Sequence, residues 1–131
     1  MLNELAEKAH RTAVEHGWWE KEPTFGDVIS LMHSELSEAL EEYRDGRPNL
    51  WHACGAGGMC RKPCPSFTVM ENEKSCPAYD PKPEGVGGEL ADCLIRILDY
   101  CAREGWDIDA IVAEKMDYNE TRPYRHGGKR L

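Results

Sequence analysis

Two short acidic pairs stand out among the residues that can do chemistry: Glu35-x-x-Glu38 and Glu89-x-x-Asp92. Carboxylates are hard oxygen ligands, and a set of them with no imidazole or thiolate suits Mg²⁺ or Mn²⁺ better than Zn²⁺. On a helical wheel with Glu35 at zero, Glu38 falls at about −60°, Glu42 at about −20° and the apolar stripe of that segment at about +80°. Setting Glu89 at zero instead puts Asp92 at about −60°, Arg96 at about −20°, and Leu90, Ile97 and Cys101 at about +100°. Both segments therefore carry acids along the border of an apolar face. If two such helices pack antiparallel, the pairs converge, and close carboxylates repel one another unless a cation compensates. A run of glutamates on one helix is ordinarily a solvated face, and Glu41, which points away from the border, is read that way. Repetition on a second helix turns the other acids into a candidate metal site.

A second constellation reads His52-x-Cys54-x5-Cys60-x3-Cys64-x11-Cys76. These gaps match no common zinc-finger or ferredoxin pattern, yet four thiols fall in one stretch rich in glycine and proline. Tetrahedral zinc or an iron–sulfur cluster held by Cys54, Cys60, Cys64 and Cys76 would supply the core that such a stretch lacks. A disulfide pair or free thiols are the alternatives. Cys93 and Cys101 sit on an apolar helix face and read as packing residues.

The elements that must position these residues are helical. Leu2, Leu5, Ala6, Ala9 and Ala13 recur at helical spacing over residues 2–16, and Gly17 stops the run. Thr24 is a plausible N-cap for a second helix whose stripe is Phe25, Val28, Ile29, Met32, Leu36, Ala39, Leu40 and Tyr43, broken by Asp45-Gly46-Arg47-Pro48. Residues 49–88 keep no period and offer no clear strand, and a long structureless connection in a compact domain needs something to organise it. A third helix is expected over residues 89–103, burying Leu90, Leu94, Ile97, Leu98 and Cys101 and ending at Gly105. Asp107 can cap a fourth, with Ile108, Ile111, Val112 and Met116 turned inward, ending near Asn119 ahead of Thr121-Arg122-Pro123. The expectation is one all-α domain spanning residues 1–131, with a Cys-rich insertion at about 49–88 between helices two and three.

Composition bounds the partners. A net charge of −8 opposes binding to nucleic acid, so a phosphate should be met through metal. No apolar stretch is long enough for a membrane span, and Met1-Leu2-Asn3-Glu4 is acidic where a signal peptide would be basic and then apolar, so a cytoplasmic protein is expected. Positive charge gathers instead at Arg122, Arg125, Lys129 and Arg130, near Gly127-Gly128, where the tail could close over phosphates. Lys115 and Asn119 lie one helical turn apart, a cation and an amide suited to a polyphosphate oxygen and a sugar hydroxyl. Trp18 and Trp19 adjoin the end of the first helix, where an indole either stacks on a base or packs in the core. His10, His16 and His33 have no partner spacing and read as ordinary residues.

Glu35-Leu36-Ser37-Glu38 followed by Glu89-Leu90-Ala91-Asp92 resembles the Glu-x-x-Glu then Glu-x-x-Asp signature of the all-α nucleotide pyrophosphohydrolases, the MazG-like group related to dimeric dUTPases. Lys115-Met116-Asp117-Tyr118-Asn119 is similar to that group's helix-four Lys-to-Asn element. Thr121-Arg122-Pro123-Tyr124-Arg125-His126-Gly127-Gly128-Lys129 resembles the tail of one MazG-like subgroup. The resemblance leaves out residues 49–88, and it departs from the group's pattern there, since the acidic pairs are normally joined by a short connection.

The resemblance implies a four-helix MazG-like bundle that hydrolyses a nucleoside triphosphate, a dNTP or a non-standard NTP, to the monophosphate and pyrophosphate. It implies Mg²⁺ or Mn²⁺ held by Glu35, Glu38, Glu89 and Asp92, with Glu38 as general base and Glu35 beside it in the catalytic pair. Substrate contacts are implied at Trp18, Lys115, Asn119, Arg122, Tyr124, Arg125 and Lys129. It also implies a homodimer or a dimer of dimers. The competing reading is a non-catalytic module, either nucleotide-binding or built around a metal-stabilised loop on the same scaffold. Such a module has no need of four acids beside a dry face.

Overall fold

The computed structural model describes residues 1–55, 58–60 and 79–124. It is mostly helical: α1 (Leu2–Glu15), α2 (Phe25–Arg44), β1 (Trp51–Cys54), β2 (Tyr79–Glu84), α3 (Val86–Arg103) and α4 (Ile108–Glu120) follow in chain order. The purely α expectation is corrected by the two antiparallel strands at the ends of the insertion. Contacts cluster the chain into two units, Thr24–Leu94 in one and Met1–Pro23 with Ile95–Leu131 in the other.

In the unit of residues 24–94, α2 starts on a capping box. The Thr24 hydroxyl accepts from the Asp27 N–H at 3.2 Å, and the Asp27 carboxylate accepts from the Thr24 N–H at 2.8 Å. The stripe expected to be buried on α2 is only partly covered. Val28 and Ala39 are buried together with Glu35, while Phe25, Leu36, Leu40 and Tyr43 are exposed. The covered line runs at i, i+7 and i+11 through an acid, rotated away from the leucine line. On α3 likewise, Cys93 is buried but Leu90 and Leu94 are exposed, against expectation.

The strands pair Trp51 with Glu84, His52 with Pro83 and Cys54 with Tyr79, with an irregularity between His52 and Cys54. Pro81 and Pro83 are tolerated because a two-stranded ribbon leaves one edge of each strand unpaired. Glycines lock this ribbon to the start of α3. Gly85 has φ +101°, and a Cβ there would stand 2.6 Å from the Pro48 carbonyl oxygen. A Cβ on Gly87 would stand 2.9 Å from the Asn49 oxygen and one on Gly88 3.0 Å from the Pro83 oxygen, while the Gly87 N–H donates to the Asn49 oxygen at 2.7 Å. At the other end, the Glu42 carboxylate accepts from the Trp51 indole N–H at 2.7 Å and from Arg47 at 2.9 Å, tying β1 to α2.

In the second unit, α1 and α4 cap each other. The Asp109 carboxylate accepts from the Leu2 and Asn3 N–H groups at 3.0 and 3.1 Å and from the Met1 ammonium at 2.9 Å. The Asn3 side-chain oxygen accepts from the Ile108 N–H at 3.0 Å, and Asp107 caps α4 through the Ala110 N–H, also at 3.0 Å. Ala6, Leu98 and Cys101 are buried; Ile97, Ile111 and Met116, expected inward, are exposed. Gly17 and Gly105 end α1 and α3 with φ of +81° and +68°.

Candidate metal centre

Glu35 and Glu38 stand one turn apart on α2, and Glu89 lies in the first turn of α3, where the glycine-packed ribbon meets the helix. Each of the three offers a carboxylate oxygen within 4.8 Å of the others. Among the described residues this is the one group of three or more His, Cys, Asp or Glu side chains close enough to share a cation. Glu35 and Glu89 are each 6% exposed, and Glu38 is open to solvent.

The fourth expected ligand, Asp92, lies outside that trio. It is half-buried one turn further along α3, and its negative charge acts on Glu89. Glu89 itself is held above the usual carboxylate range, first by burial and then by the charge of Glu38, with Asp92 and Glu35 adding to the rise and Lys82 opposing it. Lys82, on β2, is a residue that periodicity gave no reason to single out. Its ammonium pairs with Glu84 at 2.8 Å and feels the charges of Glu89 and Asp92.

The donor set fits a divalent cation. Oxygens bound to one octahedral Mg²⁺ lie about 3 Å apart when adjacent and about 4 Å apart when opposite, and three carboxylate oxygens within 4.8 Å of one another are near that spacing. All three donors are carboxylates, and two are taken out of water beside like charge, an arrangement that a cation relieves. Glu41 pairs with Arg44 at 3.0 Å on the open side of α2 and Glu42 is engaged by Trp51 and Arg47, so neither joins the trio.

The other expected site residues fall elsewhere. Trp18 is 62% exposed at the end of α1, with the Arg96 guanidinium 5.6 Å from its ring centre. Lys115 and Arg122 both approach the Tyr118 ring, at 5.6 and 5.9 Å, while Asn119 and Tyr124 are exposed. These five belong to the second unit. Arg125, Lys129 and Arg130 lie outside the described residues, as do Cys64 and Cys76. Cys54 and Cys60 are half-buried on a tight turn, where the Cys54 N–H donates to the Gly58 oxygen at 2.9 Å and the Cys60 N–H to the His52 oxygen at 2.8 Å.

One cluster had no sequence signal. Asp99 accepts from the Trp19 indole N–H at 3.0 Å and meets His10 Nδ1 at 2.7 Å, while Arg103 lies 4.4 Å over the Trp19 ring and forms an ion pair with Glu22. Trp19 is thus a packed, hydrogen-bonded indole and Trp18 the exposed one. Compared with known proteins, the chain matches no family model, no curated protein and no solved structure.

Proposed function

We propose that this chain is a divalent-metal-dependent nucleoside triphosphate pyrophosphohydrolase on a MazG-like four-helix scaffold, releasing a nucleoside monophosphate and pyrophosphate from a dNTP or non-standard NTP. The observation that supports this most is the meeting of Glu35, Glu38 and Glu89 from two helices within 4.8 Å, with two of the three buried. Mg²⁺ or Mn²⁺ bound there would neutralise charge developing on the phosphoryl oxygens and make water more acidic. Glu35 and Glu89, held by burial, would bind the cation, with Asp92 as a further ligand from the next turn of α3. Glu38 faces solvent, and one of its carboxylate oxygens accepts the proton that the attacking water loses as its oxygen bonds to phosphorus and the α–β bridging P–O bond breaks, separating pyrophosphate from the monophosphate. The substrate contacts at Trp18, Lys115, Asn119, Arg122, Tyr124, Arg125 and Lys129 rest on the sequence resemblance.

The working form is proposed to be a homodimer or a dimer of dimers. Leu36, Leu40 and Tyr43 on α2 and Leu90 and Leu94 on α3 leave apolar stripes exposed within one unit, which a second copy would cover. Among the described residues no helix is long and apolar enough to cross a membrane. A thiolate-bound zinc or iron–sulfur centre in the insertion remains a separate proposal, read from residue types and checked by elemental analysis of protein purified without chelator or oxygen.

The deciding experiment is a panel of nucleoside triphosphates with Mg²⁺, scored for pyrophosphate against orthophosphate. Pyrophosphate release that chelator abolishes is expected. Stepwise orthophosphate release would reject the reaction, and nucleotide binding without turnover would assign the chain to the non-catalytic reading.

A further inference from the structure

Lys82 stands on β2 just ahead of Gly85, the positive-φ residue at the entrance to α3. Its ammonium rests 2.8 Å from a Glu84 carboxylate oxygen, and its side chain is 60% exposed. The backbone beside it is pinned to α3. The Pro83 carbonyl oxygen would stand 3.0 Å from a Cβ on Gly88, the residue next to Glu89, and the Gly87 N–H is bound by Asn49. The insertion therefore places a solvent-reachable cation against the helical turn that carries the buried ligand Glu89. The charges of Glu89 and Asp92 act on Lys82, and that of Lys82 acts on Glu89.

We propose that Lys82 is a polyphosphate-binding residue that the inserted ribbon supplies to the carboxylate centre, an inference that rests on the triphosphate reading above. Lysine is a compact point charge on a long stem, suited to a phosphate oxygen, and its tip moves while its backbone stays fixed. In the resting protein the surrounding acids balance the ammonium. With a divalent cation at those acids, a phosphate oxygen arriving with it would compete with Glu84 for the ammonium. The insertion then adds a substrate contact to the site as well as lengthening the connection between the acidic pairs.

The test is calorimetric titration of inorganic pyrophosphate with Mg²⁺ into the full chain and its Lys82→Met, Lys82→Arg and Glu84→Gln variants, alongside KM and kcat for the best triphosphate. Lys82→Met is expected to weaken pyrophosphate binding by about tenfold or more and to raise KM more than it lowers kcat. Lys82→Arg should restore most of the binding. Glu84→Gln should leave it equal or tighter, because it removes a carboxylate that competes with phosphate for the ammonium. Pyrophosphate binding unchanged in Lys82→Met overturns the inference while leaving the hydrolase reading intact. Equal loss in Lys82→Met and Glu84→Gln also overturns it, since that marks an ion pair that only shapes the ribbon. A wild type that neither binds pyrophosphate nor hydrolyses triphosphates removes the underlying reading itself.

Discussion

Glu35 and Glu89, set on different helices, are each 6% exposed and bring carboxylate oxygens within 4.8 Å of each other and of Glu38. Burial and then the charge of Glu38 hold Glu89 above the usual carboxylate range, so its charged form is disfavoured in the metal-free fold. Two effects should separate on amide substitution. Glu38→Gln is expected to cut turnover by about 10²-fold or more, because it removes a base without changing shape. Glu89→Gln should abolish metal-dependent turnover yet raise the melting temperature of the metal-free protein by about 2–5 °C. Glu41→Gln, on the open side of α2, is the control. Near-wild-type hydrolysis in Glu38→Gln would mean that the acids are surface, not site.

Asp109 gives the chain an acid-sensitive joint. Hydrogen bonding from the Met1 ammonium first, then from the Asn3 and Leu2 N–H groups, lowers its carboxyl from an ordinary 3.8 to about 2. A lowered carboxyl contributes stability that is present above the unfolded value and lost as pH falls through the folded one. The loss should therefore run between about pH 4 and pH 2. Asp109→Asn is expected to lower the melting temperature at neutral pH and to flatten its fall across that acid range. An acid limb as steep in the variant as in the wild type would show that another group controls it.

Local signals were legible in the sequence and long-range ones were not. The Thr24 and Asp27 capping box, the Asp107 cap, and the stops at Gly17 and Gly105 all depend on residues within a turn of each other. The acidic pairs were legible for the same reason, and three of the four acids meet. The wheel placed Glu35 at the border of the buried face, however, whereas the structure buries it. Which line of a helix is covered depends on what packs against it, and periodicity carries no record of that. The ribbon was missed because Trp51 pairs with Glu84 across the whole insertion, and its second strand, with two prolines, shows no alternation. Asp99 and His10 lie 89 residues apart, beyond any spacing rule.

The ribbon's attachment to α3 makes Gly85 a more demanding position than other left-handed glycines. Gly46 has φ +65°, and a Cβ there would meet nothing within 4 Å, so Gly46→Ala should cost only the backbone penalty, about 1–2 kcal/mol. Gly85 has φ +101° and would set a Cβ 2.6 Å from the Pro48 oxygen and 2.9 Å from the Asn49 oxygen. Gly85→Ala is therefore expected to cost more than Gly46→Ala in urea unfolding and, unlike it, to weaken Mn²⁺ binding by displacing the first turn of α3. Equal unfolding costs with unchanged Mn²⁺ affinity would separate the ribbon from the metal centre.

The exposed leucines of the carboxylate-bearing unit lead to the last expectation. Leu40 is 55% exposed, and Leu36 and Leu94 are each 47% exposed. Among the described residues the buried apolar set is small: Val28 and Leu98 are its largest members, beside alanines and cysteines. A core of that size stabilises a chain weakly, so covering the leucine lines should contribute much of the folding free energy. A second copy offers the same lines about a two-fold axis, and a self-complementary contact of that kind closes without leaving further apolar surface. Leu40→Lys and Leu94→Glu each place a charge on that surface and should shift the protein from dimer or tetramer to monomer in light scattering. The wild-type melting temperature should rise with protein concentration, because association is linked to folding, while that of the variants should be lower and independent of concentration. A wild type that remains a stable, active monomer at micromolar concentration would leave the leucine lines without a self-partner.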